Sequence, residues 1–262
     1  MSEIYFNTEQ QNKILLSIVS GNTLVTLKDE TPDIWVPPVT SGLIHSFALS
    51  DNDEYDSGAL TFTDPVNGLV MIATGSTPTI NFTNGHTTAS NTAIYGNDTL
   101  NGSLVSTTRA PLLASGSTDR TLSLWLRHPG PVSTNQVWLN WGAAGSIDGR
   151  TGVNGMFMVV NYTPLKLYVD TYDGGAFNPD HDYTNWHNMI WTFSSEGLKC
   201  YVDNVLKGTY TSGVDTHPNY YLSFLSAGPS FNYGKYTLGS LSNVAIYDRA
   251  LDNTERGLMS NE

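Results

Sequence analysis

Residues 185–208 read N-W-H-N-M-I-W-T-F-S-S-E-G-L-K-C-Y-V-D-N-V-L-K-G and contain two short runs in which apolar and polar side chains alternate. The runs are separated by residues 194–197, a short polar stretch that ends in glycine. Alternation with period two on both sides of a glycine-containing turn predicts an antiparallel hairpin with one buried face. The predicted buried face comprises Met189, Trp191, Phe193, Leu198, Cys200 and Val202.

The same alternation recurs along the chain and predicts an all-β fold, a β-sandwich of two packed antiparallel sheets. Asn84-Gly85 and Asn101-Gly102 are further hairpin signals. The inward sets are Leu122, Leu124 and Leu126, then Val137, Leu139 and Trp141, then Leu165, Leu167 and Val169, then Tyr220, Leu222 and Phe224. The predicted outward set, which includes positions from the first hairpin, is Trp125, Trp138, Tyr168, Asp170, Tyr172 and Tyr201.

Three motifs resemble the LamG-like members of the concanavalin A-like lectin/glucanase superfamily. The first is the hairpin itself, in which Asn204 stands where the family usually has glycine; asparagine also accepts positive φ at a turn. The others are T-L-S-L-W-L-R at 121–127 and G-S-L-S-N-V-A-I-Y-D-R-A-L-D-N-T-E at 239–255. The resemblance implies a concanavalin A-like jelly roll over residues 41–262.

Residues 1–40 lie outside this resemblance and are predicted to be a short β and extended extension. Two apolar runs flank residues 20–22 and indicate a second hairpin, because β-branched residues favour strands. The alternative is a short helix capped at Thr8 with Gln11 as its capping-box partner. Three prolines around Trp35 then predict an extended connector. This stretch either covers a sheet edge or serves as an attachment arm.

The composition limits the classes of partner. The chain has 24 acidic and 12 basic residues and a formal net charge of -12. Nucleic acid and anionic membranes are therefore not expected as partners, because both are bound through lysine and arginine. The charge either keeps the protein soluble or reflects a need for divalent cations.

The N-terminus lacks the basic and apolar regions of a secretory signal peptide. We therefore expect the protein to be made in the cytoplasm, and either to stay there or to be incorporated into a virion. Cys200 is the only cysteine, and its alternation with apolar neighbours predicts a buried thiol. His45 shares a face with apolar residues and is predicted to be a hydrogen-bonded core histidine.

Catalysis finds little support in the sequence. The glucanases that share this resemblance use a Glu-x-Asp-x-x-Glu strand, which places two carboxylates about 5 Å apart, and the chain has no such spacing. The strand around 199–204 offers one carboxylate, Asp203. We therefore predict a protein that is not an enzyme and requires no cofactor.

Carbohydrate binding is better supported, because sugar rings pack on exposed aromatic side chains while carboxylates and amides hold their hydroxyl groups. The loop 170–182 concentrates such groups between two predicted strands. Alternatively, the rings cover a second sheet face or form a contact between subunits. A Ca²⁺ ion is a further option at Asp56, since Asp56-Ser57-Gly58 resembles a turn of the family. The predicted ligand-binding residues are Trp125, Trp138, Tyr168, Asp170, Tyr172, Asn178, Asp180 and Tyr201.

Two functions remain open from the sequence. An acidic sandwich with a proline-bounded arm is similar in organisation to LamG-like modules of phage virion proteins. In that case the protein is a capsid decoration, fibre or tail-appendage component, residues 1–40 dock on other virion proteins, and the sandwich faces outward toward surface glycans. The alternative is a stand-alone carbohydrate-binding lectin module, and a less favoured one is a glycoside hydrolase. The sequence leaves the oligomeric state open, including a homo-oligomer.

Overall fold

A computed structural model describes part of this chain. The described residues are 17–20, 23–26, 35–51, 55–74, 79–86, 92–97, 103–108, 118–128, 136–143, 155–161, 167–169, 175–177, 184–211, 221–225 and 238–262.

Strands make up most of the described structure, with one short helix near the C-terminus. The elements, in chain order, are β1 (Ser17–Ser20), β2 (Thr23–Thr26), β3 (Leu43–Phe47), β4 (Tyr55–Asp56), β5 (Thr61–Thr63), β6 (Val70–Thr74), β7 (Asn81–Asn84), β8 (Thr92–Asn97), β9 (Ser103–Ser106), β10 (Arg120–Arg127), β11 (Gln136–Ala143), β12 (Gly155–Asn161), β13 (Leu167–Val169), β14 (Gly175–Phe177), β15 (His187–Ser194), β16 (Gly197–Val202), β17 (Val205–Tyr210), β18 (Leu222–Phe224), β19 (Leu238–Tyr247) and α1 (Asn253–Ser260).

The chain divides into two compact units, Met1–Asp33 and Ile34–Glu262. In the first unit β1 and β2 pair antiparallel, with Ser20 opposite Thr23. This pairing confirms the hairpin predicted around residues 20–22, while Thr8, where the alternative helix would begin, lies outside the described residues. Trp35 and Val39 belong to the second unit.

The second unit contains two antiparallel sheets. The eight-stranded sheet has the order β17-β16-β15-β10-β19-β8-β7, and β3 also pairs with β19. The nine-stranded sheet has the order β14-β13-β12-β11-β18-β9-β6-β5-β4. Within the described ranges, no helix is long and apolar enough to cross a membrane.

The hairpin predicted at residues 185–208 forms with the expected pairing of β15 and β16. Ser194 pairs with Gly197 and Met189 with Val202, so β15 and β16 share the predicted register. The next turn contains Asp203 and Asn204, both with positive φ, between the paired residues Val202 and Val205. Two consecutive residues with positive φ are typical of a type I′ hairpin turn, which matches the right-handed twist of the strands.

The main core lies between the two sheets and confirms the predicted all-β sandwich. The eight-stranded sheet contributes the predicted apolar face of the hairpin, including the buried thiol of Cys200, together with the three leucines of β10. Phe62, Met71 and Phe224 belong to the nine-stranded sheet and pack in the same core. Because each strand alternates its side chains between two faces, this core uses only one face of each sheet.

A second core covers part of the opposite face of the eight-stranded sheet, which corrects the prediction of a hairpin with one buried face. Ile190 and Tyr201 point away from the main core and pack with residues of the 35–51 segment and of the C-terminal region. The covering side chains are Trp35, Val39, Ala48, Leu251 and Met259. The two-residue period identified these faces but not what packs on them.

Helix α1 is fixed in place by polar contacts at both ends. Asp252 and Glu255 form a capping box, in which each side chain accepts a hydrogen bond from the backbone N–H of the other residue. The carboxylate of Glu255 also binds Arg249 through two hydrogen bonds of 2.6 and 2.7 Å. At the far end, the Ser260 hydroxyl donates to Asn188 Oδ1. The helix therefore packs on part of the outer sheet face in a defined position.

The turns predicted at Asn84-Gly85 and Asn101-Gly102 are not the two-residue hairpin turns that an Asn-Gly pair favours. Asn84 pairs with Thr92, so β7 and β8 do form a hairpin, but residues 85–91 connect them. Residues 101–102 do not close a hairpin at all, because β8 and β9 lie in different sheets. An Asn-Gly pair favours a local turn, but the choice between turning back and crossing to the other sheet depends on long-range packing.

Candidate functional site

The outer face of the eight-stranded sheet is divided into two halves. One half is covered by α1 and the 35–51 segment, as described above. The other half contains Trp125 and Arg127 of β10, which alternate with the inward-facing leucines. Asn188 lies opposite Trp125 in the ladder and binds Ser260 of the helix, so it marks the boundary between the halves.

Four side chains form what we call the aromatic cluster: His86, Trp125, Arg127 and Trp186. The imidazole of His86 stacks on the indole of Trp125, with ring centroids 3.8 Å apart and an interplanar angle of 17°. The same imidazole lies 5.8 Å from the ring of Trp186 at 54°. The guanidinium carbon of Arg127 lies 5.2 Å from the Trp186 ring centroid, within the range of a cation–π contact.

The four members of the cluster come from three parts of the chain, since Trp125 and Arg127 both lie on β10. His86 follows the end of β7, and Thr83 of that strand accepts a hydrogen bond of 3.3 Å from Arg127 Nη2. Trp186 immediately precedes β15, which pairs with β10. The pairing of β15 with β10 places Trp186 near Arg127. The end of β7 is separated from β10 by β19 and β8, and it joins the cluster through the hydrogen bond from Arg127 to Thr83 and the stack of His86 on Trp125. Trp186, Arg127 and His86 each remain partly exposed.

The charge of the aromatic cluster resides on Arg127. Burial lowers the pKa of His86 to about 3, so its imidazole is neutral at pH 7. Both ring nitrogens of His86 and Nε1 of Trp125 are buried and make no hydrogen bond. A neutral aromatic surface beside one guanidinium is an arrangement that can pack against an apolar ring face while donating hydrogen bonds from its edge.

Two other histidines are paired with carboxylates. Nδ1 of His45 lies 2.7 Å from Asp64 Oδ2 in the core, which confirms the predicted hydrogen-bonded core histidine. Burial raises the pKa of Asp64, but the hydrogen bonds from His45 and from three backbone N–H groups outweigh it, so the net pKa lies below its usual range. Nδ1 of His187 lies 2.6 Å from Asp203 Oδ2. Asp203 also accepts the N–H of Asn188, so the carboxylate that the sequence singled out stabilises the hairpin.

In the part of the chain that the structure describes, His, Cys, Asp and Glu side chains form no group of three or more that could hold a metal ion. Asp56 is exposed, and its Oδ1 accepts the N–H groups of Gly58 and Ala59 at 2.8 and 3.0 Å. This side chain therefore closes its own turn, and a Ca²⁺ ion at Asp56 stays a prediction.

A sequence model described as the concanavalin A-like lectin/glucanases superfamily matches residues 99–255, which is more than half of the 262 residues. The chain belongs to this superfamily. The match includes Trp125, Arg127 and Trp186, whereas Thr83 and His86 lie before it. Part of the aromatic cluster in this concanavalin A-like protein therefore comes from outside the family match. No curated protein sequence matches the chain.

Solved structures with the same fold include a domain of an arabinanase, a sialidase and the binding domain of a mosquitocidal protein. Domain 4 of AbnA, a GH43 extracellular arabinanase from Geobacillus stearothermophilus in complex with arabinotriose, aligns with a TM-score of 0.54 and 14% identity, over 83% of this chain and 98% of that chain. A Trypanosoma rangeli sialidase aligns with a TM-score of 0.60 and 15% identity, over 85% of this chain and 33% of that chain. The binding domain of Paraclostridial Mosquitocidal Protein 1 aligns with a TM-score of 0.55 and 18% identity, over 84% of this chain and 52% of that chain. At these identities the likeness shows the fold alone.

The structure describes the side chains of three predicted ligand-binding residues and finds each less accessible than expected. Trp125 lies on the outer face as predicted, but it is only 7% exposed because His86 covers it. Tyr201 also lies on the outer face and is 7% exposed, because the guanidinium of Arg256 lies 4.0 Å above its ring. The exposure predicted for both rings is therefore wrong.

Trp138 lies on the opposite side of its strand from the prediction. The ladder between β11 and β12 shifts register between Val137 and Leu139. An extra residue in one strand interrupts the two-residue alternation, and both Trp138 and Leu139 are buried in the main core. Trp138 is 1% exposed and is not available to a ligand.

The remaining predicted site residues fall where the structure gives no side-chain information. Tyr168 lies in β13, of which only the strand pairing is described. Asp170, Tyr172, Asn178 and Asp180 lie outside the described residues. The stretch 170–182, predicted to be a loop, contains strand β14 at Gly175–Phe177, which pairs with β13. Its role in ligand binding stays a prediction.

Sequence reasoning did not identify His86, Arg127 or Trp186 as site residues. One signal was present for Arg127, since it is two positions after Trp125 on the same strand and must therefore share its face. Trp186 and His86 stand next to strand ends, where alternation gives no information. Their proximity depends on the pairing of β7, β8, β19, β10 and β15 across the sheet.

Proposed function

We propose that this protein is a non-enzymatic carbohydrate-binding module, and that it binds its ligand at the aromatic cluster. The observation that carries the proposal is the partly exposed indole of Trp186, held between Arg127 and His86 on the half of the outer sheet face that α1 does not cover. A sugar ring has apolar C–H faces that pack on an indole, and hydroxyl groups that bind nearby polar side chains.

The membership of the superfamily supports this proposal, because its description includes lectins. One structure of the same fold was determined in complex with arabinotriose. That ligand belongs to the arabinanase domain, and it is the chemistry of the aromatic cluster that brings carbohydrate binding to this chain. The non-enzymatic part of the proposal depends on the sequence, which lacks the paired-carboxylate strand of the glucanases.

A glycan array followed by calorimetry tests the proposal. We expect Trp186→Ala to weaken binding at least about tenfold, because tryptophan at the centre of a binding surface often contributes more than 1.4 kcal/mol. Trp186→Phe, which keeps an aromatic face, should retain part of the affinity. Val205→Ala changes an exposed apolar residue outside the cluster and serves as the control.

The proposal fails if Trp186→Ala binds every glycan as tightly as the unmodified protein does while keeping its thermal unfolding temperature. The same titrations with and without EDTA test the predicted Ca²⁺ ion. A loss of binding on EDTA treatment that Asp56→Ala reproduces would support an ion at that turn.

The virion role stays a prediction, as do the virion or cytoplasmic location, virion partners and a homo-oligomer. The family and the three structures above give the virion role no support. Two side chains of the predicted attachment arm, Trp35 and Val39, pack in the second core of the sandwich. Deleting residues 1–33 leaves those side chains in place, so it tests attachment with less risk to the fold than deleting residues 1–40. Loss of particle attachment with retained glycan binding would support the predicted attachment role of this segment.

A further inference from the structure

Arg127 differs from the other described arginines in its surroundings. Arg249 forms a salt bridge with Glu255. Arg120 and Arg256 are buried, where Arg120 donates to the carbonyl of Thr118 and Arg256 donates to the carbonyl of Leu251 and lies over Tyr201. Arg127 is partly exposed. Arg127 donates one hydrogen bond, from Nη2 to the hydroxyl of Thr83. Among the residues that the structure describes, no carboxylate forms an ion pair with it.

This lack of an acidic partner is informative because acidic side chains are abundant in the protein. The chain has twice as many acidic as basic residues, 24 against 12. A partly exposed guanidinium with a neutral aromatic ring as its neighbour therefore forms a local positive site on an acidic protein. Arginine pairs with carboxylates through two parallel hydrogen bonds, and a contact with an aromatic face leaves the N–H groups at its edge free to make them.

We propose that the aromatic cluster binds a sugar that carries a single carboxylate, with the guanidinium of Arg127 paired to that carboxylate and the sugar ring packed on Trp186. This inference deepens the proposed function and rests on it. The 5.2 Å separation between the guanidinium carbon and the Trp186 ring brings both contacts within the span of one sugar residue. His86 holds the cluster together through its contacts with both indoles.

The net charge indicates a singly charged sugar rather than a polyanion. Electrostatic interactions in solution fade over about 8–10 Å at physiological ionic strength. A single carboxylate at Arg127 interacts chiefly with that guanidinium, whereas a long sulfated chain would extend over a surface that shares the net charge of -12. The ligand is therefore an acidic sugar residue at a chain end or within a weakly charged glycan.

The test compares two matched glycans by calorimetry, one ending in glucuronic acid and the same glycan with that carboxylate converted to its methyl ester. We expect the unmodified protein to bind the acid at least about tenfold more tightly than the ester, since charge-assisted hydrogen bonds are roughly twice as strong as neutral ones. Arg127→Gln should abolish the preference. Arg127→Lys keeps the positive charge but lacks the planar guanidinium that can make two parallel hydrogen bonds, so it should retain part of the preference for the acid over the ester.

The design separates the two proposals. Equal binding of acid and ester, lost in Trp186→Ala and unchanged in Arg127→Gln, would overturn the acidic-sugar inference and leave the carbohydrate site standing. Binding that neither Trp186→Ala nor Arg127→Gln alters would overturn both. Tighter binding of heparin than of the glucuronic acid glycan would contradict the single-carboxylate specificity. Far-ultraviolet circular dichroism and thermal unfolding of every variant confirm that each change leaves the fold intact.

Discussion

The indole of Trp138 packs directly on Gly239, so closely that a β-carbon at Gly239 would lie 2.2 Å from Trp138 Cη2. It would also lie 2.7 Å from the carbonyl oxygen of Arg127. The φ of Gly239 is +145°, which side chains larger than hydrogen rarely allow. The register shift in β11 thus turns the indole of Trp138 inward. Gly239 in β19 leaves the space that this indole occupies.

Gly239→Ala is expected to destabilise the protein by about 2–5 kcal/mol, because it combines the cost of a strained φ with that of an overpacked core. Gly68→Ala is the matched control. Gly68 also has a positive φ, +70°, but a β-carbon there would meet nothing within 4 Å, so its cost should be about 1–2 kcal/mol. Urea unfolding measures both. Equal losses in the two variants would show that Trp138 moves aside without cost.

The pH dependence of stability should carry a contribution from His86. Burial lowers the pKa of His86 to about 3 in the folded protein, against 6.5 for the unperturbed imidazole. Between these values the unfolded chain binds a proton that the folded chain does not, so this contribution to the unfolding free energy rises with pH from about 3 to 6.5. It is fully present above 6.5 and is lost as the solution is acidified.

Urea unfolding of the unmodified protein and of His86→Phe at several pH values from 4 to 7 isolates this contribution. Glu262 acts in the opposite direction, because burial raises its pKa from 4.5 to about 7, which lowers stability as the pH rises through that interval. That contribution is common to both proteins and cancels in their difference. We expect the difference to change with pH as derived for His86. Parallel curves would mean that His86 is protonated away from Trp125 in the folded state.

The capping box of α1 should contribute measurably to stability. Asp252→Ala removes the side chain that accepts the N–H of Glu255 and should cost about 0.5–2 kcal/mol. Asp252→Asn retains an oxygen that can accept the same hydrogen bond and should be close to the unmodified protein. Thermal unfolding of the three proteins checks this expectation. If asparagine is as damaging as alanine, the capping hydrogen bond is not what Asp252 contributes.

Cys200 should be unreactive in the folded protein. Its thiol is buried in the main core, and burial raises its pKa to about 12, so thiolate is scarce at pH 8. Because it is the only cysteine, labelling by an aromatic disulfide reagent reports on this position alone. We expect labelling in denaturant within the mixing time and little labelling without it. Rapid labelling of the folded protein would contradict the buried position.

Local patterns predicted the central hairpin well. The apolar alternation of β15 and β16 correctly placed Trp191 and Cys200 in the core, and the positive φ of Asn204 occurs where the sequence suggested a turn. Each of these features depends on a strand and its immediate neighbour. The start of helix α1 also has a local signal in the sequence, because Asp252 and Glu255 have the spacing of a capping box.

The candidate site followed from the sequence only in part. Alternation predicted correctly that Trp125 and Tyr201 lie on the outer face, but it carries no information about coverage by His86 and Arg256. It failed for Trp138, because the extra residue in β11 interrupts the alternation, so that Trp138 faces the main core together with the next residue, Leu139.

The amino-acid sequence by itself determined that this protein is a sandwich of antiparallel sheets with one shared core, because the two-residue period fixes which side chains each strand buries. The tertiary structure alone decided which outward-facing rings remain accessible. That outcome depends on segments distant in sequence, such as α1 over Tyr201 and the end of β7 over Trp125. The same long-range pairing brings Arg127 and Trp186 together, which no local pattern encodes.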